Sequence, residues 1–384
     1  MHMPYVRGVH MCEAWHKLVS VPIITSSLQA DAAGSGLGPS VARAVSIQQV
    51  YGASYWHLLL EVAPRLLFAL PLLRADAACR LIMPATSASR QLLRLLRLDP
   101  NRIAEVPRGG VLLVHRLAFP TSSPFTWHTA PPREWLLAVR AALLPRRPPS
   151  PGGAALFPAS LSPPPGLLAG VPAGCTQLVL FSLRRSREAA GLGDARRAAE
   201  ARLGPEPGVC TWAVEADQLT LVQQIALFGA AGPPPPHAAA VPPRAAATPR
   251  AVPRLRALVG SHGANLAHAL WAARPCALLE VVLPPPRPAF DNYLALAAAL
   301  GLAYWLVPAY ALPHPGSGFA VDPQLLVRTL ERALALPLAE PGSEILTNVP
   351  LEGGGEGPRL GKAARAAASM TAHGHVDDDL CALS

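Results

Sequence analysis

Three groups of side chains in this sequence have the types and spacing to do chemistry. The first lies in Tyr55-Trp56-His57-Leu58-Leu59-Leu60-Glu61-Val62-Ala63-Pro64-Arg65. On a helix, residues four apart share a face, so His57, Glu61 and Arg65 form one polar stripe on an otherwise apolar segment. An imidazole beside a carboxylate in apolar surroundings is what a general base with an orienting partner requires. The plainer alternative is a buried hydrogen-bonded trio that only fixes packing. Pro64 cannot donate to the carbonyl of Leu60, which predicts a kink there.

The second group follows an apolar strand: Val259-Gly260-Ser261-His262-Gly263-Ala264-Asn265-Leu266. A strand running through a glycine-punctuated turn into a helix offers backbone N–H groups to an anion, typically a phosphate. His262 and Asn265 can add directed hydrogen bonds, and Gly260 and Gly263 allow close approach or positive φ. The spacing is neither a Walker loop nor a dinucleotide fingerprint, and an ordinary tight turn is the alternative. The third group is Phe181-Ser182-Leu183-Arg184-Arg185, a strand end delivering two arginines. Ligands of open α/β sheets sit beyond the carboxyl ends of strands, and forked guanidinium groups suit a diphosphate there. Solvated strand-end arginines are the alternative.

These groups need elements to position them. Helices are predicted over 54–73, 87–98, 131–144, 194–203, 220–230, 264–272, 292–300 and 322–336. Strands are predicted over 80–84, 111–114, 178–183, 209–214, 255–259, 277–283 and 303–307, with apolar runs at 19–24 and 41–50. Strands alternating with helices predict βαβ units and parallel sheets, twice over. The Pro/Gly-rich stretch beginning at 145 is read as a linker, with its core at 151–172, between a first α/β domain (51–150) and a second (173–340). Residues 1–50 are an extension or the start of the first domain. An Ala/Pro insertion at 232–253 and a tail at 341–384 are expected to be disordered.

Composition narrows the field further. The chain of 384 residues is 51% hydrophobic and 15% charged, which excludes general disorder. Its formal charge of +9 comes from scattered arginines, with only Lys17 and Lys362 as lysines, and no RNP-like or finger motif accompanies them. No nucleic-acid partner is therefore expected. The six cysteines lie far apart without a CxxC pair; zinc is not expected, and each cysteine is read as a free buried thiol. Asp-x-Asp, which would hold a divalent ion against a diphosphate, occurs only in Asp377-Asp378-Asp379 of the tail, so no metal is assigned. No secretory segment is visible at the start. The most apolar stretch, 56–73, carries His57, Glu61, Arg65, Pro64 and Pro71 and is not expected to span a membrane.

Taken in order, these pieces resemble glycosyltransferase family 61. The resemblance rests on Gly52-Ala53-Ser54-Tyr55-Trp56-His57 with Glu61 and Pro64-Arg65, on Arg184-Arg185, and on the helix after Thr220 with Gln223 or Gln224. It continues through the 259–266 turn, Glu280 at the close of the next strand, Tyr293, and Asp322-Pro323. The resemblance implies a GT-B-like pair of Rossmann-type domains with the active site in the cleft between them. It implies inverting transfer of a sugar from a UDP-sugar, such as UDP-xylose or UDP-N-acetylglucosamine, to a hydroxyl of a glycan or glycoprotein. Glu61 or His57 would deprotonate the acceptor hydroxyl. Arg184, Arg185, Gln223, His262, Gly263, Ala264, Asn265 and Glu280 would hold the donor, which is a substrate rather than a cofactor. The resemblance also implies the lumen of the Golgi or endoplasmic reticulum, with membrane attachment only through an anchor not visible here. A non-catalytic protein that binds glycan or a partner protein is the alternative reading.

Overall fold

A computed structural model describes residues 40–48, 52–105, 112–119, 132–144, 171–172, 174–184, 189–204, 206–229, 253–272, 275–283, 292–312 and 319–335. The expected linker (apart from 171–172), the insertion (apart from Pro253), the tail, the 19–24 run and Arg185 all lie outside the described residues.

The fold is α/β, with two parallel-rich sheets and helices between their strands. The first sheet contains β1 (Ser40–Ser46), β2 (Arg80–Ile82) and β3 (Leu113–Ala118) in the order β2-β1-β3, all parallel. Between β1 and β2 the chain forms α1 (Tyr55–His57), a π-helical turn (Leu58–Val62) and α2 (Ala63–Ala75). The break expected at Pro64 takes the form of this π turn. Proline offers no N–H, and the turn before it widens so that Ala63 N–H donates to the Leu58 carbonyl. The chain continues with α3 (Ser87–Leu95), which follows β2, and α4 (Arg133–Leu143), which follows β3. Thr86 caps α3 by accepting from Ser89 N at 3.0 Å.

The second sheet contains β4 (Gln177–Leu183), β5 (Val209–Glu215), β6 (Arg254–Ser261), β7 (Ala277–Val282), β8 (Ala303–Ala311) and β9 (Phe319–Val321). Their order is β5-β4-β6-β7-β8-β9, parallel throughout except for antiparallel β9. The connections carry α5 (Leu192–Leu203), α6 (Leu221–Gly229), α7 (Asn292–Leu300) and α8 (Pro323–Ala335). Strand β4 reads Leu-Val-Leu-Phe-Ser across its buried centre, the continuous apolar run of a parallel strand covered on both faces. One apolar cluster joins Leu58, Leu60 and Leu66 of the first crossover to Leu92, Leu136, Leu178, Phe228, Leu258, Trp271 and Leu296. Burying each leucine contributes about 1.5–3 kcal/mol.

One expectation is refined and two need correction. The helix expected over 264–272 is present but is of the tighter 3₁₀ form, Ala264–Trp271. The strand expected at 111–114 is instead β3, shifted towards the carboxyl end. Cys175 and Cys210, expected as free thiols, form a disulfide. In the β4–β5 register Leu178 lies opposite Cys210, so Cys175, just ahead of β4, reaches the start of β5 with a Cα separation of 5.7 Å. Cys79 and Cys276 are free and buried, and burial pushes the Cys276 thiol up to about 12. Cys12 and Cys381 lie outside the described residues.

Candidate functional site

In the second sheet the chain begins one strand in from the edge, at β4, passes outward to β5, and returns on the other side of β4 at β6. The strand order therefore reverses between β4 and β6, the switch point at whose carboxyl ends open α/β sheets form their ligand crevice. Arg184 follows the last residue of β4, and the 262–265 turn follows β6. The parallel register sets Ser182, Gly260 and Glu280 at one level across β4, β6 and β7, directly beneath that edge.

Gly263 organises the turn. Its φ of 151° and ψ of 175° belong to a region reserved for glycine. A Cβ built there would lie 1.9 Å from Arg184 Nη1 and 2.9 Å from Arg184 Cζ, so the guanidinium packs on the bare glycine backbone. Gly260 serves a similar purpose one level down. A Cβ there would meet Asn265 Nδ2 and Leu266 Cδ2 at 3.0 Å and the Ser182 carbonyl at 3.2 Å. Free of that obstruction, Asn265 folds back, and its Nδ2 donates to the Ser182 carbonyl at 2.9 Å. The first intrahelical bond runs from Leu266 N–H to the Gly263 carbonyl at 3.0 Å. The N–H groups of Ala264 and Asn265 precede it at the positive end of the helix. A guanidinium and a helix start thus converge at the crevice, an arrangement suited to an anion.

Aromatic and acidic groups support the turn from behind. His262 Nδ1 is bonded to Glu280 Oε1, and the Tyr304 hydroxyl donates to Glu280 Oε2. Glu280 is buried, whereas His262 is partly exposed. The Tyr293 hydroxyl donates to the Gly263 carbonyl, and its ring meets His262 edge-on at 5.5 Å. Burial, with the Glu280 charge adding to it and Arg184 opposing it, holds the Tyr293 phenol well above its usual range. Ala189 N–H, just beyond the undescribed 185–188 segment, donates to Ser261 Oγ at 3.1 Å.

The His57–Glu61 pair lies on the first crossover, after β1, the central strand of its own sheet. His57 Nδ1 and Glu61 Oε2 are 2.9 Å apart, both largely shielded from solvent. Burial lowers the Arg65 guanidinium, and the Glu61 charge partly restores it, so the expected stripe is electrically coupled. The neighbouring Trp56 ring packs edge-on against Tyr293 at 4.7 Å. Tyr293 therefore touches both the turn and the helix that carries the His57–Glu61 pair. Alongside, His268 stacks on Phe228 at 4.3 Å and meets Tyr55 at 4.7 Å. Burial depresses His268 to about 3, which keeps it neutral, and raises the Tyr55 phenol.

Of the residues singled out from the sequence, Arg184, His262, Gly263, Ala264, Asn265 and Glu280 come together at one edge. His57 and Glu61 pair with each other, one aromatic contact away. Gln223 does something else: it forms a capping box, accepting from Thr220 N at 2.8 Å while its own N–H donates to Thr220 Oγ1 at 3.2 Å. Buried Gln224 donates to the Ala216 and Leu219 carbonyls at 2.7 and 2.9 Å. Sequence reasoning missed Tyr304. Its signal is period two: Tyr304 pairs with Leu278 in register, on the same face as Glu280.

No family model matches the chain, and no curated protein matches it. Among the described residues no group of three His, Cys, Asp or Glu side chains could hold a metal ion. None of the described helices is long and apolar enough to cross a membrane.

Proposed function

We propose that this protein is an inverting glycosyltransferase that moves a sugar from a UDP-sugar to a hydroxyl of a glycan or glycoprotein. The observation that carries the reading is the packing of the Arg184 guanidinium on Gly263 at the β4/β6 edge, beside the start of the 3₁₀ helix. In this reading Arg184 and the Gly263–Asn265 backbone hold the donor diphosphate and neutralise the charge that develops as UDP departs. The His57–Glu61 pair takes the proton of the attacking hydroxyl, one residue imidazole and the other carboxylate, as base catalysis at an apolar site requires. In-line displacement needs base and leaving group on opposite sides of the anomeric carbon. The Trp56–Tyr293–His262 contacts hold the two groups in fixed relation.

A GT-B-like arrangement, with the three-stranded sheet on the acceptor side and the six-stranded sheet on the donor side, belongs to the same proposal. So does residence in the lumen of the Golgi or endoplasmic reticulum, a compartment in which the Cys175–Cys210 disulfide would persist. The test is a UDP-sugar transfer assay paired with UDP calorimetry. Glu61→Gln is expected to lose transfer at least a hundredfold while binding UDP as the wild type does. Wild-type transfer by this variant would remove the His57–Glu61 pair from the reaction.

A further inference from the structure

Glu280 sits in the wrong place to touch an anion and in the right place to aim a residue that can. Its side chain is 2% exposed, and a buried carboxylate is costly unless every oxygen is bonded. Both oxygens are: Oε1 by His262 Nδ1 and Oε2 by the Tyr304 hydroxyl. A carboxylate accepts only, so Nδ1 must carry a proton whatever the charge of the ring. Nδ1 is engaged with Glu280, Nε2 lies on the opposite edge of the ring, and 31% of the His262 side chain is exposed. The backbone is fixed too, His262 N–H donating to the Val281 carbonyl at 2.8 Å, and Tyr293 blocks one side of the ring. A His oriented by a buried carboxylate and a tyrosine is over-determined for a residue whose only task is packing.

We infer that Glu280 and Tyr304 are positioning residues that hold the His262 ring with Nδ1 inward and Nε2 turned to the diphosphate of the donor. The inference rests on the UDP-sugar reading for the identity of the anion, but the orientation of His262 stands apart from it. Glu280 itself makes no contact with the donor; its whole effect on donor binding passes through His262.

Passage through His262 is measurable as a double-mutant cycle on UDP affinity, read by calorimetry. Glu280→Gln in the otherwise native chain is expected to weaken UDP about tenfold, and His262→Gln about as much. Glu280→Gln added to His262→Gln is expected to change UDP affinity by less than twofold. Equal losses in both backgrounds would show a general structural role and overturn the inference, as would no loss in the single variant. Nitrogen-15 spectra of histidine-labelled protein without ligand provide the second readout. His262 is expected in the Nδ1-protonated form in the wild type and as a tautomer mixture in Glu280→Gln. A mixture already present in the wild type overturns the inference even if UDP binds. Failure of the wild type to bind UDP, with the Nδ1-protonated form present, counts instead against the glycosyltransferase reading. Should Glu280→Gln not fold, Tyr304→Phe carries the cycle, with a roughly threefold loss expected only when His262 is present.

Discussion

Gly263→Ala is the smallest change that strikes the proposed diphosphate site. The added methyl group would stand 1.9 Å from Arg184 Nη1 and 2.9 Å from Cζ, so the guanidinium must leave. Its hydrogen bonds to a charged ligand are worth about 1.5–3 kcal/mol, which corresponds to about a ten- to hundredfold weaker UDP complex. Separately, alanine at φ 151° and ψ 175° stores backbone strain of about 1–3 kcal/mol in the folded state. That strain lowers the melting temperature by roughly 2–4 °C for each kcal/mol, on the scale of large domains. Calorimetry with UDP and thermal unfolding without it separate the two effects. In an Arg184→Ala background the same substitution is expected to cost stability but no further UDP affinity. If Gly263→Ala binds UDP within twofold of the wild type, Arg184 does not meet the ligand from its place on Gly263, and the reasoning fails.

Two predictions concern stability. His268 is neutral in the fold, depressed from 6.5 to about 3 by burial. Between those values only the unfolded chain takes up the proton, so stability is complete above pH 6.5 and falls by about 1.4 kcal/mol per pH unit as acid is added. His268→Phe, which preserves the stack on Phe228, is expected to remove this slope in denaturant titrations at pH 7, 6 and 5; an unaltered slope would assign it to other groups. The disulfide encloses a loop with a sequence separation of 35. Cys175→Ala is accordingly expected to destabilise by about 3–4 kcal/mol on the chain-entropy account, seen as a lower urea midpoint. Reductant should lower the wild-type midpoint to that of the variant, and a wild type indifferent to reductant would contradict the bridge.

How much of this was legible in the sequence depends on the range of the interaction concerned. Alternating apolar runs and helical periods revealed the βα alternation, because each is set within a dozen neighbouring residues. The glycines at 260 and 263 marked a close approach, though only the fold shows that Arg184 is the group approaching. The Cys175–Cys210 pair was hidden because strand register, not sequence spacing, brings the two together. Tyr304 was hidden for the same reason, sitting a strand away from Glu280 inside an unremarkable apolar run. Gln223 shows the opposite case. Only the resemblance assigned it to the donor, whereas Thr220 three residues earlier already carried the capping-box signature that the structure shows. The 3₁₀ form of Ala264–Trp271 left no trace in periodicity over so short a segment.

A crystal structure of the protein with UDP decides whether the β4/β6 edge binds the diphosphate of a UDP-sugar. The diphosphate is expected within hydrogen-bond distance of the Arg184 guanidinium and of the backbone N–H groups of Ala264 and Asn265. UDP bound elsewhere, or no bound UDP at millimolar concentration, would contradict that assignment.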